Sequence, residues 1–199
     1  MAVKYQAYAA YKSSGSKLLG AIPEEWIATQ VKHLGTLKGG AGFPHAEQGI
    51  ENETLDFHKV NALGKANAEG YLERGDNTIS KATANRLGAY IFPESSIVFA
   101  KVGAALLLAR IRYLKEDACM DNNMMGLVVH NKYESNFIKY AMKIIKFDYI
   151  VNPGAVPSLN EFQMGNLFLG IPERWVQKKI ANFLDHETAK IDTLIEKQQ

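Results

Sequence analysis

Glu173-Arg174-Trp175-Val176-Gln177-Lys178-Lys179-Ile180-Ala181-Asn182-Phe183-Leu184-Asp185-His186-Glu187-Thr188-Ala189-Lys190-Ile191-Asp192-Thr193-Leu194-Ile195-Glu196-Lys197-Gln198-Gln199 is the stretch that decides the architecture. It contains neither Gly nor Pro, and Ile180, Leu184, Ile191 and Ile195 recur at spacings of four, seven and four. Phe183, Thr188, Leu194 and Gln198 partly widen that stripe, while Lys178, Lys179, His186, Lys190 and Glu196 make a polar face. This is the spacing of a coiled-coil seam. At about 1.5 Å per residue, a continuous helix over this stretch extends roughly 40 Å. Such a helix either folds back on its own domain or projects toward an external partner. The stripe runs to Gln199 without a stop signal, which favours projection, with Ile180, Leu184, Ile191, Leu194 and Ile195 as the packing residues.

Upstream the pattern is different. Short β-like runs are expected at Leu55–Val60, Asn77–Ile79, Ala89–Phe92, Ser96–Ala100, Ala105–Tyr113 and Asp121–Val129, broken by Gly64, Gly70, Gly75, Gly88, Pro93 and Gly103. Ile97-Val98-Phe99-Ala100 is the clearest buried strand. Ser135 is placed to cap a helix with Phe137, Ile138, Ala141, Ile144 and Ile145 on its apolar face. After the Pro153–Leu159 break, Ser158 is expected to cap a short helix through Met164, and Phe168–Pro172 reads as a strand leading out of the domain. Pro23-Glu24-Glu25 favours a helical first turn anchored by Ile22, Trp26 and Ile27. Lys38-Gly39-Gly40-Ala41-Gly42-Phe43-Pro44 is Gly-rich but lacks the Lys-Ser/Thr of a phosphate loop, so it reads as a turn that lets backbone approach a neighbour. The expected fold is α+β: an arm over residues 1–20, a mostly antiparallel globular domain over 21–172, and the long helix over 173–199.

Composition narrows the class. With 199 residues, 47% hydrophobic and 22% charged, the chain buries a real core, which excludes a disordered or collagen-like protein. A net charge of +2 excludes a binder that grips phosphate over its whole surface. The single cysteine, Cys119, excludes an internal disulfide framework and a Cys-rich zinc site. No apolar run approaches the roughly 20 residues of a membrane-spanning helix. The first residues, Met1-Ala2-Val3-Lys4-Tyr5, carry no signal-peptide core, so a soluble cytoplasmic protein is expected.

The motifs of catalysis are missing. Asn152-Pro153-Gly154 lacks the second proline and the aromatic residue of a base-methylating loop, and Glu94 with Lys101 lacks a second carboxylate for a nuclease metal site. Gly-x-Ser-x-Gly, His-Glu-x-x-His and Gly-Lys-Ser/Thr do not occur. His33, His45, His58, His130 and His186 have no paired ligand spacing, and Cys119 has no adjacent histidine. Neither a cofactor nor a metal is expected. Charge distribution says more: residues 81–115 carry Lys81, Arg86, Lys101, Arg110, Arg112 and Lys115, while residues 47–58 are acidic. Those cations either line a groove for phosphate, or are strand residues that simply face water. Charge alone leaves both open.

Three stretches resemble the DNA specificity subunit of type I restriction–modification systems. They are Tyr11–Gly15 with Leu19–Trp26, then Ser96–Gly103, and above all Ile171-Pro172-Glu173 through Asp185 with Lys190–Lys197. One departure stands out: the family typically has Pro-Pro before its spacer helix and Glu-Gln in the first turn, whereas this sequence has one proline and Val176 before Gln177. The resemblance implies a non-catalytic subunit with two target recognition domains, each reading half of a split site on double-stranded DNA. It implies two conserved helices that pair to fix their separation, and methylation and restriction subunits as partners that do the chemistry. This sequence corresponds to one recognition domain and one spacer helix. The second half is expected either in the same full-length chain or through dimerisation.

On that reading the candidate phosphate contacts are Lys38, Lys81, Arg86, Lys101, Arg110 and Arg112. The candidate base readers are Asn61, Thr83, Asn85, Asn122 and Asn123. A competing reading is an adapter whose helix recruits a partner while its domain binds no DNA.

Overall fold

Ile97-Val98-Phe99-Ala100 is buried at all four positions, so its strand lies inside a sheet covered on both faces. Each such side chain removed from water contributes about 1.5–3 kcal/mol, which makes this strand the axis of the core. The structure, a computed structural model, describes residues 7–151 and 156–197. Its strands are β1 (Tyr11–Ser13), β2 (Ala21–Pro23), β3 (Ile27–Gln30), β4 (Gly35–Gly39), β5 (Leu55–His58), β6 (Tyr71–Leu72), β7 (Thr78–Ile79), β8 (Ile97–Ala100), β9 (Arg112–Leu114), β10 (Ala118–Met120), β11 (Met124–Val129) and β12 (Phe168–Ile171). The helices are α1 (Lys81–Leu87), α2 (Ala104–Leu107), α3 (Ser135–Lys143), α4 (Glu161–Gly165) and α5 (Arg174–Glu196).

A central sheet runs β4-β11-β8-β9-β6, and a smaller one runs β10-β5-β7. Pairing is antiparallel except for β6 with β9 and β5 with β10. The α+β class and its antiparallel bias therefore hold. Two short ribbons complete the frame: β1 pairs with β2, and β12 pairs with β3. The main core gathers β8, β9 and β11 with Phe137, Ile138 and Met142 of α3, Met164 of α4 and Ala181 of α5. A satellite cluster of Leu55, Phe57, Ile79, Ala84 and Cys119 seats α1 on the smaller sheet. Among the described residues no helix is long and apolar enough to cross a membrane.

Several sequence expectations need correction. Ala105–Tyr113 is not one strand: Gly103 and Ala109 adopt positive φ, and the apolar run between them coils into α2 with Leu107 and Leu108 exposed. Residues 81–87 form α1, although only Ala84 of them is buried, so no apolar stripe marked the helix. Its ends were legible in Ser80, whose Oγ accepts from the Thr83 amide at 3.1 Å, and in left-handed Gly88. Ala89–Phe92 gives only a bridge from Phe92 to Ala118. Pro23 belongs to β2 and starts a turn instead of a helix, leaving Ile27 exposed, while Trp26 packs edge-on against Phe137. The cap positions are Glu134 rather than Ser135, and Asn160 rather than Ser158, the latter in a reciprocal capping box with Gln163. Ile144 ends α3 exposed. Of the 153–159 break, residues 153–155 lie outside the described residues, as do 1–6 of the arm. The rest of the arm is tied to the domain through β1.

His58 ends β5 at 3% exposure, and burial lowers its pKa from 6.5 to about 4. Between those values the unfolded chain takes up a proton that the folded chain refuses, so stability falls as pH drops through that window. Asp56, whose Oδ2 lies 4.0 Å from the imidazole, is shifted upward chiefly by burial and acts in the opposite sense. The His58→Gln variant removes the histidine contribution alone. Urea melts at pH 7 and pH 4 should show the wild type losing more stability than the variant, by on the order of 2–3 kcal/mol. Equal losses would contradict this.

Candidate nucleic-acid interface

The Gly-rich stretch is the end of β4 and the backbone beyond it. Its amides are spent on the turn between β10 and β11: Gly40 N–H donates to the Met124 carbonyl at 3.0 Å and Ala41 N–H to the Met120 carbonyl at 2.9 Å. The approach is so close that a Cβ at Gly40 would stand 2.0 Å from the Asp121 carbonyl oxygen. Close backbone approach, expected from the glycines, is what the structure uses.

Asp121 organises this edge. It is buried, and its carboxylate accepts from the Asn123 amide at 2.9 Å and from the Val60 amide at 3.2 Å. One side chain thus holds the 121–124 turn against the start of the short helix Val60–Gly64. That brings exposed Asn61 and Asn122 and half-buried Asn123 to one place. The Asn123 carbonyl in turn accepts from the Lys101 amide at 2.8 Å. The Lys101 ammonium lies beside β4, where a Cβ on Gly39 would be 3.0 Å from Nζ, and Lys38 precedes that glycine, exposed. Arg110, which follows α2, reaches the far end of the same short helix: a Cβ on Gly64 would be 2.8 Å from its Nη1. Asn61, Lys101, Asn122 and Asn123 are thus linked through backbone around Asp121, with Arg110 at the end of the 60–64 helix, while Lys38, one residue before Gly39 on β4, projects from the other face of that strand.

The other candidates lie elsewhere. Lys81, Thr83, Asn85 and Arg86 are on α1; Thr83 is engaged by the Ser80 cap, and Arg86 pairs with Glu47. Asn85 and Lys81 are exposed. Arg112 is set apart on β9, half-buried, with Nη1 donating to the Ile111 carbonyl at 3.1 Å. Burial first, then Arg110, lowers its pKa. It faces a groove against α5 with Lys139 and Lys143, away from the asparagines. Sequence reasoning missed Asp121, which it placed in an expected strand, and Glu161, whose carboxylate accepts from the Gly39 amide at 2.7 Å and adds a negative charge beside Lys101. Cys119 is buried and its thiol is pushed up to about 11, far from a reactive thiolate.

The spacer-type helix divides at Leu184. Ile180 packs on the main core and Leu184 is half-buried, whereas Ile191, Leu194 and Ile195 are 55%, 60% and 50% exposed. Gln177, which follows the departing Val176, is buried; its Nε2 donates to the Pro172 carbonyl at 2.8 Å and its Oε1 accepts from the Glu134 amide at 3.0 Å. Folding back and projection are both realised, by successive halves of one helix.

The family model for the type I restriction modification DNA specificity domain matches residues 23–199. The chain belongs to this family. The specificity-domain fold recurs in solved structures of low sequence identity. The HsdS subunit from Thermoanaerobacter tengcongensis superposes with a TM-score of 0.66 at 13% identity, over 95% of this chain and 43% of that one. A chain from a type I R-M system, solved for its complex assembly and conformational transition, gives 0.72 at 12% identity over 94% and 43%. The S subunit from M. genitalium gives 0.60 at 12% over 93% and 44%. The chain spans less than half the length of each.

In this specificity domain the Gly40 contact generates a direct test. Gly40→Ala should cost about 1–3 kcal/mol in urea unfolding, because a backbone carbonyl must shift. Gly42→Ala, with nothing within 4 Å of its Cβ, should stay within about 0.5 kcal/mol of wild type. Equal effects at both positions would contradict the close approach.

Proposed function

We propose that this specificity domain reads one half of a split DNA site, with phosphates held by Lys38, Lys101 and Arg110 and base edges read by Asn61, Asn122 and Asn123. The observation that carries the reading is the Asp121-built edge, where Asn61, Asn122 and Asn123 flank one buried carboxylate and the Lys101 amide bonds to the Asn123 carbonyl. Phosphate contacts fix register, and amide side chains discriminate base edges. Asparagine can bridge adenine through its N6 and N7 atoms, so a single well-placed reader is worth about 1–3 kcal/mol of discrimination. The candidates on α1, Lys81, Thr83, Asn85 and Arg86, extend the same proposal to a second segment, with Arg86 having to leave Glu47 to reach a phosphate.

The domain itself performs no bond chemistry on this reading. Methylation and restriction subunits dock to the assembled subunit and supply it. The exposed Ile191, Leu194 and Ile195 are the packing surface for the helix of the second recognition half, in the same full-length chain or in a second copy. The assembly would work in the cytoplasm, where its DNA is.

The deciding experiment mixes the chain and its methylation partner with random-sequence duplex DNA and sequences what is retained. Enrichment of a split motif is expected; retained partner binding without enrichment would favour the adapter reading instead. Within a positive result, Lys38→Ala, Lys101→Ala and Arg110→Ala should each weaken binding across all sequences and lower the salt slope by about 1. Asn122→Ala or Asn123→Ala should instead relax one base position, leaving the slope unchanged. Unaltered slopes in the cation variants would remove those three residues from the interface.

A further inference from the structure

The recognition domain holds α5 at two levels. At the first, Arg174 pairs with Glu134 at 2.8 Å, and Gln177 accepts from the Glu134 amide. At the second, both oxygens of Asp185 are used: Oδ1 accepts from the Tyr140 hydroxyl at 2.7 Å and Oδ2 from the Asn136 amide nitrogen at 3.2 Å. Asn136 is itself fixed from the core side, its Oδ1 accepting from the Tyr113 hydroxyl at 2.8 Å. The chain Tyr113–Asn136–Asp185–Tyr140 therefore ties β9, α3 and α5 together. Behind it Lys139, only 6% exposed, places its ammonium 4.3 Å from the Tyr113 ring centroid and 5.4 Å from that of Tyr140.

Between these levels Ile180 and Ala181 pack on the main core, and the Asp185 level, about 12 Å beyond Gln177, adds the tie nearest the exposed half of the helix. Thr188 also faces the Tyr140 hydroxyl, and a groove of about 650 Å³ runs between α5 and the domain from the Asp185 level outward, lined by Tyr140, Asp185, Arg112, Lys143, Asp192 and Thr193. Packing gives way to open space there, so the far half of α5 takes its direction from the Asp185 level.

We infer that Asp185 is a positioning residue: with Tyr140 and Asn136 it sets the angle at which the spacer helix leaves the recognition domain, and hence the spacing between the two half-sites. The spacing part rests on the DNA-reading proposal; the angle part does not. The leverage is large. A pivot of about 10° over a helix of roughly 35 Å sweeps its far end by roughly 6 Å, close to two base-pair steps of about 3.4 Å.

Two measurements test this. Because Cys119 is fully buried, cysteines introduced by Thr36→Cys on β4 and Lys190→Cys on α5, both exposed positions, can be spin-labelled selectively for pulsed distance measurement. A single narrow distance distribution is expected in the parent. It should widen at least twofold in Asp185→Ala, and by an intermediate amount in Tyr140→Phe and in Asp185→Asn, which keeps one acceptor oxygen. Should Asp185→Ala fail to fold, the two milder variants carry the test. Unchanged widths in folded variants would overturn the clamp. The second measurement repeats the DNA selection with the full specificity chain and its methylation partner. Wild type should select one spacer length, and Tyr140→Phe should admit lengths one or two base pairs away while the half-site bases stay the same. Widened distances with an unchanged spacer length would overturn the spacing role. A wild type that selects no split site would defeat the DNA reading, leaving the distances to decide the clamp.

Discussion

A single buried carboxylate, Asp121, holds together the edge proposed to meet DNA. By accepting from the amides of Val60 and Asn123 it joins two segments that are far apart in sequence. A buried acceptor of this kind is stable only if its hydrogen bonds are made, so the geometry around it is strongly enforced. Gly40 completes the constraint by letting the end of β4 approach the same turn more closely than any side chain would permit. Asn61, Lys101, Asn122 and Asn123, proposed to meet DNA, flank this junction.

A different set of contacts holds the long helix. There α3 and the first half of α5 share the Glu134, Asn136, Tyr140, Gln177 and Asp185 contacts, and the second half of α5 departs with its apolar stripe exposed. On the proposed reading, recognition and spacing fall to separate parts. Among the described residues the Asp121 contacts and the α5 contacts share no hydrogen bond, so that reading expects the edge to vary in sequence without disturbing the helix attachment.

The legible parts of the sequence were those with strong local periodicity. The long helix and the buried β8 strand announced themselves, as did the apolar face of α3 at Phe137 and Ile138. The helix α1 did not, because burying only Ala84 leaves no stripe, and α2 was hidden because Ala104–Leu108 is as apolar as a strand core. The candidate site was partly legible. Lys38, Lys101, Arg110 and the asparagines were visible as residue types, but their meeting point depends on Asp121 and Glu161, which act through tertiary contacts that no local pattern records. Arg112 shows the converse: a cation counted with the others by sequence lies in the groove beside α5.

Amide hydrogen exchange on the chain assembled with its methylation partner, with and without a duplex carrying the selected site, tests the central claim most directly. The account predicts DNA-dependent protection at residues 38–42, 60–64 and 121–124, with little change in the groove between α3 and α5. Protection confined to α5, with those three segments exchanging as in the free protein, would contradict it.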